Sequence, residues 1–229
     1  MKRTILIILI ICLTLTTCGP DVKFVEPQPQ GISNLNSIPK AYHGYYKNQS
    51  DSTYLIIDSF SIKKEWRSTE WINRDSMEKE LKIPIKSDTT LQIKDKLMLD
   101  KITDRLTLAI SLGKDSAKIR IKGFETLFAL SDSQLVRTYK RFCFLNFRTK
   151  DGYWLVKTLR LKGDLLDYSE LIDSKDIDDF NDVTRITAIK DTTSGKIVEY
   201  RLNPTHRELR RILKGKKLEN SYKRVLTQN

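Results

Sequence analysis

The chain has 229 residues, a formal net charge of +12 at pH 7, 39% hydrophobic residues and 31% charged residues. This length suits one domain or two small ones. Its two histidines and three cysteines provide too few ligands for a common transition-metal site, so we predict no metal and no cofactor.

Residues 1–17 have the pattern of a secretory signal peptide. Lys2 and Arg3 precede an apolar run from Ile5 to Leu15. A transmembrane helix needs about 20 apolar residues. The run is shorter than that, so it predicts a cleaved signal peptide.

The signal ends in Leu15-Thr16-Thr17-Cys18, which resembles the lipobox of bacterial lipoproteins. Thr17 stands where that motif usually has Gly, Ala or Ser. The resemblance implies that Cys18 carries palmitate-containing lipid as the membrane attachment. It also implies a cell-envelope location in the inner or outer membrane, with the outer membrane favoured and the domain in the periplasm or at the surface. The alternative is an ordinary signal peptide with an incidental cysteine.

Residues 18–40 contain four of the six prolines of the chain. Proline fixes φ and removes a hydrogen-bond donor. We therefore predict that a lipidated cysteine and an extended, Pro-rich tether precede a single β-rich domain over residues 41–229.

The domain shows apolar residues at every second position, which is typical of half-buried strands. The first predicted strands are "GYYK", "TYLIID" and "SIKKEW", and later ones include "RLTLAISL" and "AKIRIKGF". Asp151-Gly152 predicts a hairpin turn. We expect five or more consecutive strands within residues 91–170.

Two helices are predicted near the end of the chain, and a third over residues 74–82 before Pro84. Residues 174–184 place apolar side chains at three-residue spacing. Thr205 and Glu208 form a capping-box pattern before a buried stripe of Leu209, Ile212 and Leu213. The predicted fold is α+β and β-dominated, an antiparallel meander or barrel-like sheet with two or three short helices.

Charge is distributed in two opposite blocks, with net −7 over residues 164–182 and net +7 over residues 201–229. We expect these blocks to face each other or to be solvated, and we do not expect a nucleic-acid partner. Anionic lipid headgroups or anionic glycans are the external partners that would suit the basic tail.

No catalytic residue is predicted. Cys143 lies in the apolar run "FCFLNF" and is predicted to be a buried small hydrophobe. His43 is predicted to pack or hydrogen-bond, and His206 to lie at the surface. Paired carboxylates of a glycosidase have no characteristic sequence spacing, so a hydrolase acting on envelope polymers stays as a third hypothesis.

Gly44-Tyr45-Tyr46 resembles the first strand of calycin-like barrels such as lipocalins, with tyrosine where that family has tryptophan. The resemblance implies a closed barrel that carries a small apolar ligand. The candidate pocket-lining residues would be Tyr45, Trp66, Trp71 and Trp154.

The order of these features, from the lipobox through the Pro-rich segment and the β-rich domain to the capped helix, resembles that of small bacterial lipoproteins. This resemblance implies no particular activity. The leading hypothesis is a non-enzymatic lipoprotein that binds or supports another component of the cell envelope, such as an envelope protein. The alternative is a calycin-like carrier of a small apolar ligand.

Overall fold

The computed structural model of the protein describes residues 19–73, 89–93, 105–216 and 220–225, with the side chains of 89–93 left aside. The predicted signal peptide, the predicted lipidation of Cys18 and the predicted helix over residues 74–82 lie outside these residues. Among the described residues, no helix is long and apolar enough to cross a membrane.

The described residues form fourteen strands, numbered in chain order, and the β-dominated α+β fold class is confirmed. The strands are β1 Asp21–Phe24, β2 Gly44–Asn48, β3 Tyr54–Ile57, β4 Ser61–Asn73, β5 Thr89–Ile93, β6 Arg105–Leu112, β7 Ser116–Ala129, β8 Gln134–Tyr139, β9 Phe142–Arg148, β10 Trp154–Lys162, β11 Leu165–Glu170, β12 Ile186–Lys190, β13 Ile197–Leu202 and β14 Ser221–Val225. Helix α1 spans His206–Gly215, and 3-10 helices span Lys40–Tyr42 and Ser174–Phe180.

The chain divides into two compact units, whereas the sequence predicts one domain over residues 41–229. The first unit is drawn from Met1–Ile32, Asn146–Val156 and Glu170–Lys217. The second is drawn from Ser33–Leu145, Lys157–Ser169 and Leu218–Asn229.

In the first unit, β13 pairs with β12 on one side and with β1 on the other. The β1–β13 pairing is parallel, and Phe24 of β1 lies opposite Trp154 of β10. The buried side chains of this unit are largely apolar: Val22, Phe24, Trp154, Val156, Leu171, Ile172, Ile177, Leu202, Leu209, Ile212 and Leu213.

The predicted tether is wrong for residues 21–24, which form strand β1. Val22 and Phe24 are 7% and 1% exposed, so their burial stabilises the strand and fixes it in the unit. The peptide group of Gln28 is also held, because Gln28 N donates to Asn146 Oδ1 at 2.6 Å and Asn146 Nδ2 donates to Gln28 O at 2.9 Å.

Strands of the second unit follow the order β8-β9-β10-β11-β14-β2-β3-β4-β7-β6-β5. All seven pairings from β11 to β5 are antiparallel. The order of the described strands has two ends, so the sheet is open. This differs from the closed barrel that the calycin resemblance implies.

The predicted strands are confirmed, and several are longer than expected. "RLTLAISL" coincides with β6, while "SIKKEW" is the first half of β4. The predicted run of strands in residues 91–170 is also present, and the Asp151-Gly152 turn is confirmed with a φ of 87° at Gly152.

The late helices match their predictions in part. Residues 174–180 form a 3-10 helix that is shorter than the predicted helix over 174–184. Helix α1 is confirmed together with its capping box, in which Thr205 and Glu208 bond to each other's backbone. Its predicted stripe of Leu209, Ile212 and Leu213 is buried.

Candidate functional site

Strands β4, β7 and β6 of the second unit lie side by side in register. Trp71 lies opposite Lys118, and Arg67 lies opposite Lys122. On the other side of β7, Phe124 lies opposite Arg105. Successive side chains of a strand point to opposite faces of the sheet, so this register sorts the residues of the three strands into two faces.

One face of these strands is apolar. Its buried core consists of Leu108, Ile110, Ala117 and Ile119. The partly buried side chains of Ile72, Leu106, Leu112 and Ile121 pack against it. Apolar burial on this face stabilises the sheet and fixes which side chains emerge on the other face.

The opposite face, which we call the basic face, carries every second residue of 65–71 in β4, of 118–124 in β7 and of 105–111 in β6. Its charged residues are five cations and one carboxylate: Arg67, Arg105, Lys118, Arg120, Lys122 and Glu65. The formal charge of the face is therefore +4.

The cations of the basic face are accessible to solvent. The side chains of Arg67 and Lys122 are 48% and 41% exposed. Arg105 and Arg120 are exposed as well, as is Thr69, which lies opposite Arg120. Trp71 is 69% exposed, which makes it a large apolar side chain set among cations.

Glu65 organises one end of the basic face. Its residue is 1% exposed, and its carboxylate accepts hydrogen bonds from Tyr45 Oη at 3.0 Å and Arg67 Nε at 2.6 Å. Lys122 Nζ lies 3.0 Å from the second oxygen. Burial raises the pKa of Glu65, but the hydrogen bonds from Lys122, Arg67 and Tyr45 outweigh it and hold the pKa below its ordinary value.

Aromatic rings support the same end. Tyr45 and Tyr54 stack with centroids 4.9 Å apart. The guanidinium of Arg67 lies 4.6 Å from the centroid of Tyr54 and donates to Tyr45 Oη at 2.7 Å. Burial, followed by the hydrogen bond to Glu65, raises the pKa of Tyr45 to about 12. Arg67 is thus positioned from three sides.

The other end of the basic face is less constrained. Lys118 Nζ lies 5.4 Å from the ring centroid of Trp71, a distance within cation–π range. The side chain of Arg120, at the centre, makes no hydrogen bond or ion pair with any residue that the structure describes. Neither cation would have to break an ion pair with a described residue to meet an external anion.

The four predicted pocket-lining residues lie in different environments. Tyr45 belongs to the Glu65 cluster, and Trp71 is exposed on the basic face. Trp66 lies on the apolar side of β4 against Gly123. Trp154 belongs to the first unit, where it is 8% exposed and opposite Phe24. Tyr45, Trp66 and Trp71 therefore do not converge on one side of the sheet.

A groove of about 470 Å³ lies in the first unit. Its lining includes Val25, Tyr153, Thr187, Ile189, Arg201 and Glu208.

Two cations beside this groove, Arg201 and Lys23, are paired, whereas Arg185 in its lining is exposed. Arg201 donates to Tyr153 Oη at 2.8 Å and to Glu199. Lys23 bridges Asp151 at 2.7 Å and Glu199 at 2.5 Å. Because these carboxylates neutralise the two cations, the groove carries less unneutralised positive charge than the basic face. It is therefore less suited to an anionic ligand.

Both histidines donate Nε2–H to a backbone carbonyl: His43 to Ile38 at 2.8 Å and His206 to Gln30 at 2.6 Å. The hydrogen-bonding role predicted for His43 is confirmed. Cys143 is fully buried as predicted, and burial raises its pKa to about 12. The described residues contain no cluster of His, Cys, Asp and Glu that could hold a metal ion.

The sequence predicts external anionic partners for the basic tail and does not predict the basic face. Several tail cations have internal partners: Arg201 bonds to Glu199, Lys216 donates to the carbonyl of Glu170, and Arg224 donates to the carbonyl of Ala41 at 2.7 Å. The available signal was the alternation of Lys118, Arg120 and Lys122 with apolar residues in "AKIRIKGF".

No protein-family model, curated protein or solved structure matches this chain.

Proposed function

We propose that the protein is a non-enzymatic, lipid-anchored binding module of the bacterial cell envelope. Its basic face binds an anionic envelope component. The observation that carries the proposal is the set of five cations and one carboxylate on one exposed face of β4, β7 and β6. The lipobox resemblance at residues 15–18 supports the anchor.

Glu65 pairs with only two of the five cations, Arg67 and Lys122. Arg67 lies directly opposite Lys122, and like charges at such positions destabilise a sheet. Charges on edge strands can prevent aggregation, but β7 lies between β4 and β6 and is not an edge. An external anion that neutralises the face accounts for a charge pattern that the sheet itself does not need.

The anchor would hold the first unit close to the membrane. Only Gly19 and Pro20 separate Cys18 from the start of β1 at Asp21. Three residue steps span at most about 10 Å. Lipid on Cys18 would therefore keep this unit at the bilayer surface, in place of the long stand-off that a tether over residues 18–40 would provide.

The anchor is tested by growing cells that express the full chain with labelled palmitate. We expect label in the wild-type protein and none in Cys18→Ser. A Cys143→Ser variant is the matched control and should label normally, because Cys143 is buried. Continued labelling of Cys18→Ser would contradict lipidation at this residue.

Binding is tested by photo-cross-linking in cells. A photoreactive residue at Thr69 samples the basic face and leaves its five cations in place. The same residue at Ser133, in an exposed turn of the same unit, serves as the control. We expect adducts from Thr69 that are absent from Ser133. Equal adducts, or none at Thr69, would contradict a binding role for the face.

A further inference from the structure

We infer that the anionic component is the headgroup surface of an anionic phospholipid bilayer, on which the basic face docks flat. This inference rests on the proposed function and names the partner of the same face. Three observations carry it: the arrangement of the cations, the exposed indole among them, and the short connection to Cys18.

The cations form a two-dimensional array. Side chains on one face of a strand recur about every 6.6–6.8 Å, and neighbouring strands lie about 4.8 Å apart. Lys118, Arg120 and Lys122 follow this repeat along β7, with Arg67 beside them on β4 and Arg105 on β6. Mobile lipid headgroups can rearrange to meet such an array, so binding requires no recess in the protein.

Trp71 adds an apolar contribution at the same surface. Its side chain is 69% exposed and has Lys118 beside the ring. Tryptophan is enriched at membrane–water interfaces, where its ring lies at headgroup level. A basic surface with an exposed indole thus combines the two contributions of peripheral membrane binding, electrostatic attraction and apolar insertion.

A protein partner fits the same surface less well. Lysine is depleted at the buried centre of protein–protein interfaces, where arginine and aromatic residues are enriched and charge as a whole is low. Here the central strand presents Lys118, Arg120 and Lys122, so a protein docked on it would have to desolvate three adjacent cations.

The predicted lipid on Cys18 would also favour docking. An anchored chain meets the bilayer intramolecularly, and weak contacts then suffice because the effective concentration is high. About 10 Å of chain between Cys18 and Asp21 would hold the first unit near the headgroup region, and the basic face belongs to the second unit of the same anchored chain.

The test uses the lipidated full chain, reconstituted in vesicles through its own anchor. A polarity-sensitive fluorophore is attached at Thr69→Cys, with Ser133→Cys as the control site. Cys143 is buried with its pKa raised to about 12, and should not compete for the label. Vesicles of neutral phosphatidylcholine are compared with vesicles containing about one third phosphatidylglycerol, using an aqueous quencher at low and high salt.

We expect the Thr69 probe to be shielded on phosphatidylglycerol vesicles and exposed on neutral vesicles, with shielding lost at about 1 M salt. The Ser133 probe should stay exposed throughout. Replacing Lys118 and Arg120 with Gln should lower the ratio of shielded to exposed probe by about 25-fold, or about five-fold per charge. The matched variant, Arg141→Gln with Lys162→Gln, removes the same charge from exposed positions outside the basic face and should change it little.

Equal quenching of the Thr69 probe on both kinds of vesicle would overturn the inference. If cross-linking from Thr69 in cells then gave a protein or glycan adduct, the proposed function would stand with a different partner. If it gave no adduct at all, the proposed function would fail as well.

Discussion

Glu65 is a buried carboxylate on a face that is otherwise cationic. It accepts hydrogen bonds from Tyr45 and Arg67, and an ion pair with Lys122 completes its coordination. Arg67 and Lys122 lie opposite each other, so the carboxylate reduces their mutual repulsion. The residue therefore stabilises the cation array from beneath while leaving the amino and guanidinium groups half exposed.

Glu65→Gln should destabilise the protein by about 1–2 kcal/mol at pH 7, because the three hydrogen bonds from Tyr45, Arg67 and Lys122 lose the negative charge of their acceptor. The exposure of both cations keeps this value below that of a fully buried pair. The folded-state pKa of Glu65 is lowered, so the carboxylate contributes fully above about pH 4.5, its ordinary value, and progressively less as pH falls through the folded pKa. We would measure the free energy of unfolding in urea at several pH values. The difference between the wild type and Glu65→Gln should be constant above about pH 6 and should become smaller below about pH 4.5.

Glu70→Gln is the matched control, since Glu70 is exposed on the other side of the same strand. It should change the free energy of unfolding by less than about 0.5 kcal/mol. Equal stability of Glu65→Gln and the wild type at pH 7, or a difference that does not shrink in acid, would contradict the role given to Glu65.

For individual residues, the sequence predicts whether a side chain is buried better than it predicts which side chains it contacts. Cys143 could be placed in the core because its neighbours are apolar on both sides. The role of Glu65 could not, because an isolated "KKEW" does not show that Tyr45 and Lys122 approach the same carboxylate. These contacts depend on the register of four neighbouring strands, β2, β3, β4 and β7.

Among the elements, β4 and β7 make the longest pairing, from Ser61 opposite Ala129 to Asn73 opposite Ser116. Near its middle, the indole of Trp66 lies across Gly123. A Cβ at residue 123 would lie 2.1 Å from Trp66 Cε2 and 2.5 Å from Nε1. Glycine is required here because the aromatic ring occupies the space of a side chain.

Gly123→Ala should therefore destabilise the protein by about 1–3 kcal/mol, because the indole must leave its position. In a Trp66→Ala background, Gly123→Ala should change the free energy of unfolding little, because the indole no longer occupies the space of the new methyl group. A double-mutant cycle measured by urea unfolding should give a coupling free energy between Trp66 and Gly123 of about 1–3 kcal/mol. An equal cost in both backgrounds would show that the indole does not limit residue 123.

Elements that pack on one apolar face were predictable, and elements held by pairing alone were not. The alternation of "RLTLAISL" identifies β6 because Leu108 and Ile110 are buried. Residues 67–73 continue β4 although Ser68 and Glu70 occupy its apolar-side positions, so only the ladder with β7 reveals them as strand. The sequence shows the cations of "AKIRIKGF". That they lie beside Arg67 and Trp71 follows only from the register between β4 and β7.

For the whole molecule, the largest difference from the sequence prediction concerns the amino-terminal segment. Prolines and polar residues there suggested a tether, whereas β1 pairs with β13, from Asp21 opposite Glu199 to Phe24 opposite Leu202. This parallel pairing joins segments from opposite ends of the chain. A short strand whose partner is so distant has no local pattern by which the sequence could reveal it.

Phe24→Ala distinguishes a strand from a tether. Phe24 is 1% exposed, and its truncation should destabilise the first unit by about 3–5 kcal/mol. Val25→Ala, one residue further on, is the control because Val25 is 47% exposed.

Trp154 lies opposite Phe24, so its fluorescence reports unfolding of this unit in a full chain carrying Trp66→Phe and Trp71→Phe. Equal urea midpoints for the two variants would mean that residues 21–24 are not integrated in the fold. A selective loss in Phe24→Ala would establish that the folded unit begins within a few residues of the predicted lipid anchor.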